Sequence, residues 1–342
     1  MVEPTLPMKL AVVRSLSAGS SVFVREYYQK RFTFWNANSL ALSLIERLRD
    51  SSEPAAIAEL LPFGLSKSSA VSTAARAAMQ HLYQLVPLEA LPALDDAMRP
   101  YWSDSNTRVP GSLEGHVWAS ASDRLYLGLL ASHRDGCTRA GVLRQSSLVA
   151  AEDLLPFIFI RLTDWVDLVR SLAEEALVGK LHAQFTETMV DCLGLLTRLS
   201  NSSRFHPSNL ERIDVLLKAP ACATALRRAL THPSRMVRRH CMPVAVENPA
   251  LDVRQTIAQA IVDHDVVVRR WVFTANPEQL GKTRTNPHTP IRRLAFDIFE
   301  TSGEVDELIP FLLDRATSIR VDRQRLLSKR FEFPQPDSTG NN

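Results

Sequence analysis

His232-Pro233-Ser234-Arg235-Met236-Val237-Arg238-Arg239 is answered further along the chain by Asp263-His264-Asp265-Val266-Val267-Val268-Arg269-Arg270. The same order, a polar turn and then an aliphatic residue beside arginine, returns at Asn286-Pro287-His288-Thr289-Pro290-Ile291-Arg292-Arg293. A shorter copy is Ala316-Thr317-Ser318-Ile319-Arg320, and an earlier one is Thr163-Asp164-Trp165-Val166-Asp167-Leu168-Val169-Arg170. From Arg238 the arginine-to-arginine steps are 31, 23 and 28 residues, uneven but in the range where one helical hairpin makes one repeat. A hairpin of amphipathic helices cannot bury its apolar face alone, so recurring units stack on their neighbours.

The periodicity around these copies is helical nearly throughout. Leu40, Leu44 and Leu48 recur at four-residue steps beside Ala41 and Ile45, which makes one apolar stripe. Ser52 is the expected N-cap of the next helix, with Glu53 and Pro54 in its first turn and Gly64 as its stop. A long helix is expected from about Ser69 to Leu85, with Val71, Ala75, Ala78, Met79 and Leu82 inward, and another from Leu88 to Met98. The breaker-rich stretch from Ser103 to Gly115 reads as a loop or subdomain boundary, and Arg134-Asp135-Gly136 reads as a turn. Val266-Val267-Val268 sits at helical spacing between charges, and no convincing strand signal appears, so the expected class is all-α.

Each copy reads as polar turn, Val-Arg or Ile-Arg, then apolar helix. This resembles the HEAT-repeat (ARM-type) family of α-solenoids over about residues 151–329. The resemblance implies a right-handed α-α superhelix whose second helices line a concave face, here with irregular repeats. The expected division is a weakly repeat-like helical region over 1–102, the loop 103–115, a HEAT-like solenoid over 116–331 and a disordered tail over 332–342. Asp265 and Thr289 are the expected N-caps of two second helices, with Pro290 at the first helical position.

Composition narrows the function classes. Of 342 residues, 45% are hydrophobic and 23% charged, which is globular rather than disordered. The 12 glycines are too few for Gly-rich phosphate loops or turn-dense β folds to be expected. The formal net charge is only +3, but residues 204–330 hold 21 basic and 14 acidic residues (+7), leaving 19 basic and 23 acidic (−4) elsewhere. The C-terminal half is therefore a candidate surface for an acidic partner. Cys137, Cys192, Cys222 and Cys241 form no C-x-x-C and read as reduced thiols of a cytoplasmic protein. The apolar run Phe157–Ile160 is far short of the ~20 residues of a membrane span, and Arg14 interrupts the start too early for a signal peptide.

The arginine pairs are the leading candidates for binding. Neighbouring helical residues point ~100° apart, so one arginine of Arg238/Arg239, Arg269/Arg270 and Arg292/Arg293 can serve a repeat-to-repeat ladder while the other faces outward. Three stacked repeats would set the three spare guanidiniums in a row on the concave face, suited to carboxylates or phosphates, with Trp271 and Arg320 as further candidate binding residues. Resemblance to HEAT-like alkylpurine DNA glycosylases would imply a catalytic Asp among tryptophans, but Asp164 and Asp167, beside Trp165, fall in a turn. His232, His264 and His288 occupy successive turns and do not converge as metal ligands must. His240-Cys241 points apart on a helix, and Gly281-Lys282-Thr283 lacks the first glycine and the strand of a P-loop. No cofactor is expected. The expected function is a non-catalytic scaffold holding a protein or peptide on its concave face; the alternative is a nucleic-acid-binding solenoid, including a glycosylase.

Overall fold

A computed structural model of the chain describes residues 37–99, 118–275, 286–302 and 308–331. The loop 103–115, the tail 332–342 and Gly281-Lys282-Thr283 lie outside the described residues. The fold is all-α, with short 3-10 turns between helices and no strand among the described residues. Contacts divide the chain into two compact units, Met1–Ala250 and Leu251–Asn342.

The first unit runs through α1 (Ala37–Asp50), α2 (Ala56–Leu60), α3 (Ser69–Tyr83), α4 (Leu91–Met98), α5 (Ala121–Leu130), α6 (Gly136–Leu148) and α7 (Leu155–Arg161). It continues with α8 (Asp167–Val178), α9 (Thr186–Asp191), α10 (Leu193–Leu199), α11 (Ser208–Leu217), α12 (Ala223–Leu230) and α13 (Arg235–Val246). The stripe on α1 is buried at Ala41, Leu44, Ile45 and Leu48, and α1 packs on α3. On α3 the buried residues are Val71, Ala75, Ala78, Met79 and Leu82, as the 3.6-residue period requires. Helix α7 is buried on every side, from Leu155 to Arg161, because it lies within a row: α4 packs on α7, α7 on α10 and α10 on α13. Each fully buried Leu, Ile or Phe there contributes ~1.5–3 kcal/mol.

Two local expectations give way to packing. Ser52 is not an N-cap; it turns the chain at φ 55°, and the Glu53 amide donates to Ser51 Oγ (3.3 Å) instead. Helix α2 then begins at Ala56, past Pro54. Gly64 lies inside the 3-10 turn Leu61–Leu65, where a Cβ would sit 2.3 Å from the Tyr126 ring. Tyr126 Oη donates to the Leu61 carbonyl at 3.0 Å, so ring and turn are held together and only glycine fits. Gly128 is required in the same way, with Phe157 2.3 Å from its missing Cβ.

The second unit comprises α14 (Val253–Ile261), α15 (Val266–Ala275), α16 (Thr289–Ser302), the 3-10 turn Ile309–Leu313 and α17 (Thr317–Phe331). Its core gathers Ile291, Leu294, Ala295, Phe296, Leu308, Phe311 and Ile319. Phe296 and Phe311 meet edge to face, with ring centroids 5.6 Å apart. Asp265 caps α15 by accepting from the Val267 amide at 2.7 Å. Thr289 is the first residue of α16 rather than its cap, which moves Pro290 one place inward.

Candidate binding surface

Six turns share one construction, centred on His133, Asp164, His232, Asp263, Asn286 and Asp314. The side chain of each accepts the backbone N–H two residues on, from Asp135 (3.0 Å), Val166 (3.0 Å), Ser234 (3.0 Å), Asp265 (2.6 Å), His288 (3.0 Å) and Ala316 (2.7 Å). The carbonyl of each accepts a guanidinium N–H from the arginine six residues on: Arg139, Arg170, Arg238, Arg269, Arg292 and Arg320. In every case a helix starts three residues after the central residue. The aliphatic residue just before the arginine, Val169, Val237, Val268, Ile291 or Ile319, is buried.

The construction follows from helix geometry. Side chains on a helix lean toward its N-terminus, so an arginine in the first turn reaches back over the preceding loop. There it satisfies a carbonyl that no helical N–H can reach, through a charge-assisted bond. The aliphatic neighbour points ~100° away, into the core. The turn before α3 has the same frame without the clamp. Ser66 Oγ accepts from the Ser68 amide (3.3 Å) and Val71 is buried, but Ser72 holds the arginine's place. Arg76, one helical turn later, donates to the Gly64 carbonyl instead.

Among the candidate binding residues, Arg238, Arg269, Arg292 and Arg320 are therefore clamping arginines. Arg238 and Arg239 belong to the first unit; Arg269, Arg270, Trp271, Arg292, Arg293 and Arg320 belong to the second. Arg292 also binds Asp314 bidentately, at 2.7 and 3.1 Å. Burial raises the Asp314 carboxyl, but the bond from Arg292, the Ala316 amide and the charges of Arg292 and Arg320 hold it below the usual carboxylate range. Of the second arginines, Arg293 bonds to Asp297 (2.9 Å) and Asp322 and covers the Phe296 ring. Arg239 is half-buried, Arg270 is exposed and Trp271 is half-buried. The outward-facing role expected of each pair's second member thus fits Arg270 best.

One copy of the turn went unread in the sequence. His133-Arg134-Asp135-Gly136-Cys137-Thr138-Arg139 has the spacing of His232 to Arg238, but Thr138 replaces the aliphatic residue that marks the others. This copy opens onto an extended, buried ionic network. Arg139 bonds bidentately to Asp164 (2.9 and 2.9 Å), Arg161 reaches both Asp164 (3.1 Å) and Asp95, and Arg99 bonds Asp95 (2.7 Å). Burial raises the Asp95 carboxyl, but Arg161 and Arg99 outweigh it and hold it low. The guanidinium carbons of Arg99 and Arg139 lie 4.4 and 4.2 Å from the centroid of the Trp165 ring, which stays 45% exposed. The Asp164 carboxylate is completely buried and engaged by Arg139, Arg161 and the Val166 amide.

The histidines and cysteines have local explanations. His232 accepts from Ser234 at Nδ1 and faces Asp191 through Nε2 at 3.3 Å, while His264 and His288 are exposed. His240 pairs with Asp214 at 2.6 Å. No group of three His, Cys, Asp or Glu suited to a metal occurs among the described residues. Cys192, Cys222 and Cys241 are buried and Cys137 is exposed, all as free thiols. Burial pushes the Cys241 thiol up to about 12. No helix among the described residues is long and apolar enough to cross a membrane.

No family model matches the chain, and no curated protein is significantly similar to it. Among solved structures it is similar to the crystal structure of an engineered protein, 15% identical, which covers 90% of this chain and 98% of that one. The TM-score of 0.34 is too low for that likeness to bear on fold or function.

Proposed function

We propose that the protein is a non-catalytic helical-repeat scaffold of the HEAT-like, right-handed superhelical kind, which holds a protein or peptide partner. The observation that carries this reading is the reuse of one arginine-clamped turn to open six helices, since recurring units of this kind build extended binding surfaces. The row α4–α7–α10–α13, in which every third helix packs on the next, supports the same reading. Four free thiols suit a cytoplasmic setting. Arg270 and Trp271 are the proposed contact residues of the second unit, with Arg239 in the first.

The basic balance of residues 204–330 favours an acidic partner and keeps nucleic acid as the second reading. The test is affinity capture from lysate with the wild type and with Arg270→Glu, beside titrations with duplex DNA, single-stranded DNA and RNA at low and moderate salt. A protein retained by the wild type and released by Arg270→Glu supports the scaffold reading. Salt-sensitive nucleic-acid binding that Arg270→Glu weakens replaces it with the alternative.

A further inference from the structure

Glu59 is a buried acid, one oxygen of which has no hydrogen-bond partner. It lies on α2, all five residues of which are buried, and its own exposure is only 2%. Its Oε2 is sealed from solvent and has no hydrogen-bond partner. Such a group costs ~1–3 kcal/mol, more if charged, unless something satisfies it. Glu59 is one of the residues lining a cavity of about 240 Å³ between the end of α1, the turn at Ser51–Ala55 and α2. Buried Leu48 and Ala56 give this cavity an apolar side, and exposed Glu53 and Arg47 stand at its solvent side. Ser51 is already engaged, donating to the Leu48 carbonyl (2.6 Å) and accepting from Glu53 (3.3 Å).

We propose that this cavity is a binding site for an ammonium or guanidinium group on a short aliphatic stem, with Glu59 as its buried counter-ion. The size supports a small group, because the cavity falls below the ~300–1,000 Å³ of drug-sized sites. The chemistry supports a cation. A buried carboxylate is stabilised most by a charged donor, and the stem lies against Leu48 and Ala56. Glu53 adds a second negative charge at the mouth. A metal fits less well, since no group of three metal-binding side chains occurs among the described residues. The cation can come from a free amine or from a lysine or arginine side chain of a peptide.

The site carries its own pH signature. Burial first, and then the charge of Glu53, raise the Glu59 carboxyl to about 7. Of the charged or titratable groups on the elements packed against α2, Glu46, His81 and Asp96 are exposed, and others have partners. Arg76 on α3 serves Gly64 and Asp123, Asp95 on α4 serves Arg99 and Arg161, and Arg49 on α1 pairs with Asp50. Arg47 is the cation nearest the mouth.

The experiment is calorimetric titration of the full chain with n-butylamine, with a short blocked peptide containing one lysine, and with n-butanol as the uncharged control. Either amine binds at about pH 8, and its affinity falls roughly tenfold at about pH 6, following ionisation of a group near 7. Glu59→Gln, which removes a buried charge and is expected to fold, abolishes binding. Preference for butylamine identifies a small-molecule site, and preference for the peptide a side-chain site. The proposal is overturned if neither amine binds at about pH 8, if butanol binds equally well, or if Glu59→Gln binds like the wild type.

Discussion

Arg139 and Asp164 lie 25 positions apart and meet through two N–H···O bonds of 2.9 Å, each side chain almost wholly withdrawn from water. The same geometry recurs between Arg292 and Asp314 in the second unit. In each, the clamping arginine of one turn reaches the central aspartate of the next. That aspartate also caps its own turn and offers its carbonyl to its own arginine, Arg170 or Arg320. Removing one side of such a pair leaves a buried charge uncompensated, so Arg139→Ala is expected to cost about 3–5 kcal/mol. Arg139→Lys keeps the charge but loses the fork, and recovers only part of the loss. Chemical denaturation of both variants measures this, and an unchanged midpoint for Arg139→Ala would remove the pair's structural role.

Adjacent arginines are expected to behave oppositely. Arg269 is buried and bonds to the Asp263 carbonyl, while its neighbour Arg270 is exposed. Arg269→Ala orphans a turn carbonyl and is expected to destabilise by about 1–3 kcal/mol, whereas Arg270→Ala stays within about 0.5 kcal/mol. Thermal unfolding of the two single variants compares them directly.

The central residue of the turn is Asp, Asn or His, and what these share is a side-chain acceptor two residues upstream of an amide. His133→Asn should therefore keep the turn, while His133→Leu should lose it. Burial, only partly offset by Asp135, holds the His133 ring below its ordinary value. The unfolded chain thus binds the proton more readily, so this contribution to stability is present above about pH 6.5 and is lost as pH falls below it. His133→Asn should flatten that part of the stability profile, as denaturation midpoints across mildly acidic pH will show.

Glu59 has the opposite sign. Its carboxyl is raised from 4.5 to about 7, so the folded protein holds a proton that the unfolded chain releases. Stability falls as pH rises between those values and stays low above them. Glu59→Gln should therefore stabilise the ligand-free protein by about 3 kcal/mol near pH 8 and be almost neutral near pH 4.

Thiol chemistry separates the cysteines. Cys137 is exposed, whereas Cys192, Cys222 and Cys241 are buried with thiols that burial pushes up. Under native conditions a maleimide should label Cys137 rapidly and the other three only on unfolding. Mass mapping of the labelled peptides reads this out.

What the sequence determined by itself is what a few neighbouring residues decide. The stripes of α1 and α3 are legible because burying one side of a helix imposes its period on the chain. The clamped turns are legible for the same reason, since acceptor, amide, aliphatic residue and arginine lie within seven consecutive positions. Even the choice between paired arginines is local, because the first of each pair stands six residues after the central carbonyl. Tertiary structure alone decided the rest. Gly64 reads as a helix stop until Tyr126 packs over it, and Trp165 reads as an aromatic beside an acid until Arg99 and Arg139 pack against its ring. Glu59 carries no signal in its own neighbourhood, because its burial is set by helices that pack on α2 from elsewhere in the chain. Contacts between distant residues depend on which helix faces meet, and that choice minimises exposed apolar area over the whole unit rather than over any one segment.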